Sequence, residues 1–180
     1  KVCGVDVQQQ KVDLVNRGEP YIADVSSKRL LAMVTNRLLE ATTAQNRIKE
    51  VDAIYICIPT PLTKTKEPDL SYVIRESEEI SKHLQPGQLI VLESTTYPGT
   101  TSKVILPILE RSGLKVGRDF YLAYSPERID PGNKKYNIRD IPKIVGGIDP
   151  QSTKIAALLY RQVAEVVIPV SCPEVAEMTK

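Results

Sequence analysis

The chain alternates between short apolar runs and longer stretches in which apolar residues recur at helical spacing. The apolar runs at residues 53–58 and 88–92 are typical of strands that are covered on both faces of a sheet. The pattern predicts strands at residues 2–7, 37–42, 53–58, 88–92, 120–124, 141–145 and 163–169. It predicts helices at residues 8–16, 26–33, 43–50, 71–84, 100–112 and 150–161, and from residue 173 onward.

This order of elements predicts an α/β fold. Strands that are joined by helices of about 10 to 15 residues form right-handed crossovers, so we expect a doubly wound, mainly parallel sheet. Ligands of such sheets bind beyond the carboxyl ends of the strands. The candidate functional residues are therefore those at or shortly after the ends of predicted strands, namely Asp6, Thr60, Thr95 and Glu127.

Composition narrows the choice of partners. The 180 residues carry 24 Lys and Arg against 22 Asp and Glu, and this small excess argues against nucleic acid as the main partner. No apolar run reaches the length of about 18 residues that a membrane span needs. Three scattered cysteines predict reduced thiols in a cytoplasmic protein, with Cys57 as a small buried hydrophobe. A single histidine and the lack of a close cysteine pair argue against a structural zinc site.

Asp6 lies at the end of the first predicted strand. In dinucleotide-binding folds an acidic residue after the second strand accepts hydrogen bonds from the adenosine ribose, and its charge favours NAD over NADP. The alternative is that Asp6 caps the helix that begins near residue 8. Lys11 is either a cofactor contact or an ordinary solvated lysine of that helix. The glycine fingerprint stands about 20 residues before such an acidic residue, so we expect the first βα unit to be missing here.

Two further loops carry hydroxyl groups. Thr60 lies between two prolines that would hold its hydroxyl outward, and a plain proline-rich turn is the alternative. Thr95 belongs to a loop of small hydroxyl residues and free amides ahead of a predicted helix, an arrangement that suits an anion, a ribose or a water molecule. We also expect Thr96 or Thr100 to cap that helix.

The most distinctive segment begins at Ser125. Glu127 stands behind a proline at a strand end, where it is placed for proton or water handling. Arg128 offers a planar fork for a phosphate or a carbonyl group, although a surface Glu–Arg pair is the alternative. Lys180 lies on the last predicted helix, where its spacing alone indicates a solvated lysine.

Taken together, these segments resemble the UDP-glucose/GDP-mannose dehydrogenase family over essentially the whole chain. Each piece is short, but their order and spacing are specific. The Pro-Glu-Arg-x-x-Pro-Gly form is similar to the subgroup that oxidises UDP-N-acetyl-hexosamines. The motifs are Gly4-Val5-Asp6 with Lys11, Ile58-Pro59-Thr60-Pro61, the segment ESTTYPGT at residues 93–100, Pro126-Glu127-Arg128 with Pro131-Gly132, Pro142-Lys143 with Gly146-Gly147, and Ala176-Glu177-Met178 with Lys180.

The resemblance implies an NAD-dependent oxidation of the C6 hydroxyl of UDP-N-acetylglucosamine to a carboxylate, in two steps. UDP-N-acetylmannosamine and UDP-glucose are the alternative substrates, and a non-catalytic nucleotide-binding module is the alternative of another class. The site residues that the resemblance implies are Asp6, Lys11, Thr60 and Thr95 for the cofactor, Glu127, Arg128, Ile129 and Lys180 for the UDP-sugar, and Lys180, Glu127 and Thr95 for catalysis, with no metal ligand.

The resemblance also sets expectations about the extent of the chain. We expect residues 1–172 to form a Rossmann-like NAD-binding domain that is incomplete at its N-terminus, and residues 173–180 to begin a connecting helix. The catalytic cysteine of the family would lie beyond Lys180, so we expect this stretch alone to bind NAD weakly and not to turn over substrate. The full-length protein is expected to be a homodimer or a higher homo-oligomer in the cytoplasm, with a UDP-sugar as its partner.

Overall fold

The computed structural model describes residues 1–22, 24–62, 68–128 and 138–180. Strands and helices alternate through these ranges, as the sequence predicts. The strands are β1 (Val2–Val5), β2 (Leu39–Thr42), β3 (Ala53–Ile56), β4 (Leu89–Leu92), β5 (Tyr121–Tyr124), β6 (Lys143–Gly147) and β7 (Val167–Pro169). The α-helices are α1 (Gln9–Asn16), α2 (Ser27–Thr35), α3 (Ser71–His83), α4 (Leu106–Leu109), α5 (Pro150–Tyr160) and α6 (Pro173–Glu177).

The chain divides into two compact units, Lys1–Arg47 and Ile48–Lys180. In the first unit β1 and β2 form a parallel pair. The side chain of Asn16, the last residue of α1, forms two hydrogen bonds with the backbone of Ala41 in β2. The hydroxyl of Ser26 accepts the backbone N–H of Arg29 and caps α2, which confirms the predicted start of that helix.

The second unit contains a five-stranded sheet in the order β3-β4-β5-β6-β7. Its neighbouring strands are parallel except for β5 and β6, which are antiparallel. The predicted α/β class with a mainly parallel sheet is therefore confirmed. The carboxyl ends of β3, β4 and β5 lie at one edge, because these three strands are parallel neighbours.

Apolar side chains cover both faces of this sheet. Successive strand residues point to opposite faces, so Leu92 and Leu122 pack with α3 and α4, whereas Val91 and Ala123 pack with α5. All four residues of β4 are buried, as the apolar run predicts. Among the described residues no helix is both long and apolar enough to cross a membrane.

The prediction of a strand covered on both faces is wrong for β3. This strand is at the edge of the sheet, and Tyr55 is 41% exposed. The strand ends at Ile56, so Cys57 lies just beyond it and is exposed. The expectation that Cys57 is a buried hydrophobe is therefore also wrong.

The segment predicted as one helix at residues 100–112 has three parts. A π-helical segment, Thr100–Ile105, is followed by α4 and then by a 3-10 turn, Glu110–Ser112. Pro107 has no N–H with which to continue the α-helical hydrogen-bond ladder, which accounts for the interruption. The predicted helix at residues 43–50 is a 3-10 helix, Gln45–Glu50.

Two glycines at the end of β6 allow close approach of the neighbouring helices. A Cβ atom at Gly146 would lie 2.2 Å from the carbonyl oxygen of Cys172, which directly precedes α6. A Cβ atom at Gly147 would lie 2.3 Å from the amide nitrogen of Thr153 in α5. Any side chain at either position would force these helices away from the sheet.

Candidate functional site

The loops that follow β3 and β4 are joined directly. The hydroxyl of Ser94 accepts the backbone N–H of Ile58 over 2.8 Å and donates to the carbonyl oxygen of Ile56 over 3.1 Å. This fixes the start of the segment that carries Thr60 against the start of the loop that carries Thr95. Thr60 is half-buried and Thr95 is exposed, so both lie at the surface of the carboxyl edge.

Glu93 is the centre of a buried polar cluster beside these loops. Only 9% of its surface is exposed. Its Oε1 atom accepts the hydroxyl of Tyr160 over 2.6 Å and lies 3.2 Å from Nζ of Lys143. Its Oε2 atom accepts the thiol of Cys57 over 3.1 Å. The cluster joins residues from α5, β6 and the end of β3 to the end of β4.

Lys143 connects Glu93 to Glu127. Its ammonium nitrogen lies 2.7 Å from Oε2 of Glu127, and 7% of the residue is exposed. Desolvation lowers the pKa of Lys143, but its hydrogen bond to Glu127 and the charges of Glu93 and Glu127 outweigh this and raise the pKa above its ordinary value. Lys143 is therefore charged and is shared between two carboxylates.

Glu127 is also held by its own backbone. Its Oε1 atom accepts the N–H of Arg128 over 2.7 Å. Arg128 is exposed and lies shortly after the end of β5. Ile129 and the Pro131-Gly132 pair, which carry part of the predicted substrate contact, lie outside the described residues.

Lys180 reaches the same cluster from the end of the chain. Its Nζ atom donates to the backbone carbonyl of Glu93 over 2.6 Å. Desolvation lowers the pKa of Lys180 below its ordinary value, although the charges of Glu127 and Glu93 oppose that change. Lys180 is thus a fixed, partly buried group and not the freely solvated lysine that its spacing suggests.

The helix that begins at Thr100 has a different cap from the one predicted. Neither Thr96 nor Thr100 caps it, because the N-cap residue is Gly99, whose φ of 92° favours glycine. Glu177, which is 3% exposed, accepts the N–H of Gly99 over 2.6 Å and the N–H and hydroxyl of Thr101 over 2.8 and 2.7 Å. These amides are therefore bound by α6 and are not open to an external anion.

Burial and the negative charge of Glu93 raise the pKa values of a thiol and two phenol groups around that residue. Desolvation of the thiol, together with the charge of Glu93, raises the pKa of Cys57 to about 12. The same two causes raise the pKa of Tyr55 to about 12, and they raise the pKa of Tyr160 still further. All three groups therefore remain protonated near neutral pH, and Cys57 and Tyr160 donate hydrogen bonds to Glu93.

The first unit contains its own cavity beside Asp6. It has a volume of about 250 Å³ and is lined mainly by apolar residues of β1, α1, α2 and the segment between the helices, including Tyr21 and Ile22. Oδ1 of Asp6 accepts the N–H of Gln8 over 2.8 Å, which stabilises the turn into α1, and Oδ2 lies 3.7 Å from Nζ of Lys11. A carboxylate beside an apolar cavity fits the ribose and base of an adenosine group.

The predicted site residues therefore fall into two sets. Thr60, Thr95, Glu127 and Lys180 belong to the second unit, whereas Asp6 and Lys11 belong to the first. The second unit also has a cavity of about 380 Å³ between α5 and the end of β7, and none of the predicted residues lines it.

Sequence reasoning did not assign a role in the site to the residues at its centre. Glu93, Lys143 and Glu177 stand out in the sequence only as parts of motifs, and Tyr160 only as part of a helix. The available signals were a charged residue directly after the apolar run at residues 88–92 and another inside the predicted strand at residues 141–145. The distance of fifty residues between Glu93 and Lys143 hides their pairing.

The sequence model of the family described as "UDP-glucose/GDP-mannose dehydrogenase family, NAD binding domain" matches residues 1–164 of this chain. The chain belongs to this family. The resemblance that the motifs indicate is thus confirmed, and the family is one of NAD-binding dehydrogenases. The acidic residue and cavity of the first unit agree with that cofactor.

Members of the family with known names and structures are similar over nearly the whole chain. A UDP-N-acetyl-D-glucosamine 6-dehydrogenase of Salmonella typhi is 36% identical over 164 residues, which are 91% of this chain and 38% of that protein. The crystal structure of an NDP-N-acetyl-D-galactosaminuronic acid dehydrogenase from Methanosarcina mazei Go1 superposes with a TM-score of 0.92 and 40% identity, over 100% of this chain and 40% of that one.

A UDP-D-ManNAc dehydrogenase from Pyrococcus horikoshii has a TM-score of 0.91 and 32% identity, over 99% of this chain and 43% of that one. This chain therefore spans about 40% of the length of the family members it matches. These likenesses confirm the Rossmann-like class of the fold.

Proposed function

We propose that the chain is the NAD-binding part of a nucleotide-sugar 6-dehydrogenase that oxidises the C6 hydroxyl of UDP-N-acetylglucosamine to a carboxylate. The longer protein is called the complete enzyme below. The observation that carries the proposal is the position of Lys180, whose ammonium group is fixed to the backbone of Glu93 at the edge where Glu127 follows β5. A fixed cation and a carboxylate at the carboxyl edge of a parallel sheet suit the oxidation of an alcohol.

Asp6 and Lys11 would hold the adenosine end of NAD. Asp6 is oriented by Gln8 and lies at an apolar cavity, so it can accept ribose hydroxyls while the cavity receives apolar surface of the nucleotide. Thr60 and Thr95, on joined loops of the second unit, would line the cofactor cleft. NAD supplies a hydride acceptor when it is bound.

Three residues of the second unit would act on the substrate. Lys180 would stabilise negative charge on the sugar oxygen or move a proton, because it is a preorganised cation with restricted access to water. Glu127 would order the sugar or act on the water that releases the acid, and Thr95 would lie near that water. Arg128 and Ile129 would contact the nucleotide sugar.

The N-acetylated substrate is supported by the names of similar members of the family. The Salmonella typhi protein and the two crystal structures named above all carry names of enzymes for N-acetylated sugar nucleotides. UDP-N-acetylmannosamine is the nearest alternative substrate, and UDP-glucose is a more distant one.

We further propose the organisation of the complete enzyme. Residues 1–172 would form its NAD-binding domain, and residues 173–180, which include α6, would begin a connecting helix. The complete enzyme would be a cytoplasmic homodimer or higher homo-oligomer. As the family resemblance implies, its catalytic cysteine would come from outside this chain. The thiol of Cys57 is unsuited to that role, because it is held protonated beside Glu93.

A NADH assay of the complete enzyme with a panel of UDP-sugars tests this function. We expect two NADH per UDP-N-acetylglucosamine, because oxidation of a primary alcohol to a carboxylate removes four electrons. Turnover of UDP-glucose at a higher kcat/KM would overturn the assignment of an N-acetylated substrate. Binding of NAD with no NADH formation on any nucleotide sugar would favour a non-catalytic nucleotide-binding module.

A further inference from the structure

The site contains a row of three charged groups, and the family resemblance gives a role to Glu127 but none to the other two. The ammonium group of Lys143 lies between two carboxylates. Its Nζ atom is 3.2 Å from Oε1 of Glu93 and 2.7 Å from Oε2 of Glu127. The Lys143 side chain is 8% exposed, so water screens these charges only weakly.

We propose that Lys143, fixed in place by Glu93, is a positioning residue that keeps Glu127 ionised and in one orientation. The proposal deepens the proposed function, because it explains how the carboxylate of that same site is prepared. Lys143 is not proposed to contact the substrate. It acts only through Glu127.

Glu93 is suited to hold Lys143 because its own carboxylate is held from other sides. The hydroxyl of Tyr160 and the thiol of Cys57 donate to its two oxygen atoms. The ring of Tyr160 also lies 5.3 Å from Nζ of Lys143, measured to the ring centre, within the range of a cation–π contact. The ammonium group thus contacts Glu93 and the Tyr160 ring as well as Glu127, and these contacts restrict its position beside that carboxylate.

The charge balance explains why the lysine matters for ionisation. Two carboxylates that share a poorly solvated site repel one another, and a cation between them stabilises both charges. Removing the cation would make protonation of one carboxylate easier. Removing the Glu93 charge would have the opposite effect on Glu127, since Lys143 would then be paired with Glu127 alone.

Other titratable groups act on Glu127 from the elements around it. Among the described residues they are Lys180 after α6, Cys57 after β3, and Arg128, whose backbone N–H donates to Glu127. The thiol is neutral near pH 7, and Lys180 and Arg128 are unchanged in the variants below. A difference in the titration midpoint of Glu127 between those variants therefore reports the effect of the Glu93 and Lys143 charges.

The direct test is a carboxyl ¹³C NMR titration of Glu127, with its resonance assigned by its loss in Glu127→Gln. In Lys143→Met we expect the titration midpoint of Glu127 to move to higher pH by about one unit or more. Lys143→Arg, which keeps the charge, is expected to restore the original midpoint. An unchanged or lower midpoint in Lys143→Met would overturn the proposal.

A second variant decides the matter if Lys143→Met does not fold. Glu93→Gln keeps the size of the side chain and an oxygen for Tyr160. It removes the charge and replaces the oxygen that accepts the Cys57 thiol by an NH₂ group. We expect the Glu127 midpoint to move to lower pH in this variant. A midpoint that stays the same or rises there would overturn the proposal in that case.

The pH profile of the complete enzyme distinguishes this role from a purely structural one, because loss of structure alone would not shift the profile along the pH axis. The acid limb of its pH profile for kcat is expected to shift upward in Lys143→Met and to be restored in Lys143→Arg, with KM for NAD unchanged. A fall in kcat with no shift of the limb would overturn the proposal. If no nucleotide sugar is turned over, the proposed function fails, and the NMR titration still decides the role of Lys143.

Discussion

Nζ of Lys180 lies 2.6 Å from the backbone carbonyl oxygen of Glu93, a residue 87 positions earlier in the chain. The side chain of the same glutamate binds Lys143, so Glu93 contacts two ammonium groups with different parts of its structure. Its backbone fixes Lys180 and its carboxylate fixes Lys143. The residue after β4 thereby sets the place of both cations beside Glu127.

The pH dependence of the complete enzyme should report Lys180. Above its pKa the lysine is neutral and cannot stabilise a negative oxygen, so activity should fall as pH rises. Because desolvation lowers the pKa of Lys180 from the ordinary 10.5, this fall should begin at lower pH than for a solvated lysine. In Lys180→Arg we expect the alkaline limb to move to higher pH, since arginine stays protonated up to about pH 12.

Lys180→Met should lower kcat by about 100-fold or more, the usual effect of losing one preorganised donor. Lys154→Met is a matched control, because Lys154 lies on α5 at the separate cavity beside β7. Equal activity of Lys180→Met and Lys154→Met, measured by NADH formation, would contradict the assigned role of Lys180.

The bond between Glu177 and the loop at Gly99 should stabilise the fold strongly. Glu177→Gln replaces one acceptor oxygen by an NH₂ group and leaves at least one buried N–H without a partner. We expect the free energy of unfolding in urea to fall by about 2 kcal/mol or more. Glu165→Gln, at an exposed position after α5, should change it by less than about 0.5 kcal/mol. Similar losses in both variants would show that Glu177 does not fix this loop.

The thiol of Cys57 should react slowly although the residue is exposed. With a pKa of about 12, roughly one molecule in ten thousand carries the thiolate at pH 8. Alkylation by iodoacetamide, followed by mass spectrometry, should therefore be about 1,000-fold slower than for a thiol with an ordinary pKa. Glu93→Gln should accelerate the reaction, because it removes a negative charge next to the sulfur. Rapid alkylation of Cys57 in the unaltered folded protein would refute this environment.

Asp6 should determine the choice between NAD and NADP in the complete enzyme. Asp6→Asn removes the charge that opposes a 2′-phosphate and weakens the bonds to the ribose hydroxyls, so the preference for NAD should fall by about tenfold or more. Asp13→Asn is the matched control, since Asp13 lies on α1 and its carboxylate accepts the side-chain amide of Gln9. Calorimetric titration with both cofactors would measure the change, and an unchanged preference in Asp6→Asn would contradict the role of Asp6.

The sequence predicted those parts of the fold that depend on local pattern. The apolar run of β4 identifies a fully buried strand, and Ser26 marks the start of α2. The pattern could not show that β3 would be an edge strand, because the position of a strand in a sheet depends on its partners. The break in the helix at residues 100–112 had a local signal in Pro107, which the helical spacing outweighed.

The candidate site, like the fold, could be predicted from the sequence only in part. Glu127 and Thr95 could be selected because each follows a strand, and strand order then brings them to one edge. The pairing of Glu93 with Lys143 could not be inferred, since it depends on β6 running antiparallel to β5. The Glu177 cap was hidden for a similar reason, because it joins α6 to a loop 76 residues earlier.

The central claim is that the nucleotide sugar is oxidised at the edge formed by Glu93, Glu127 and Lys180. A crystal structure of the complete enzyme with NAD and UDP-N-acetylglucosamine tests it most directly. The account predicts the C6 oxygen of the sugar within hydrogen-bond reach, about 3 Å, of Nζ of Lys180. A sugar bound away from that edge, for example in the cavity between α5 and β7, would contradict it.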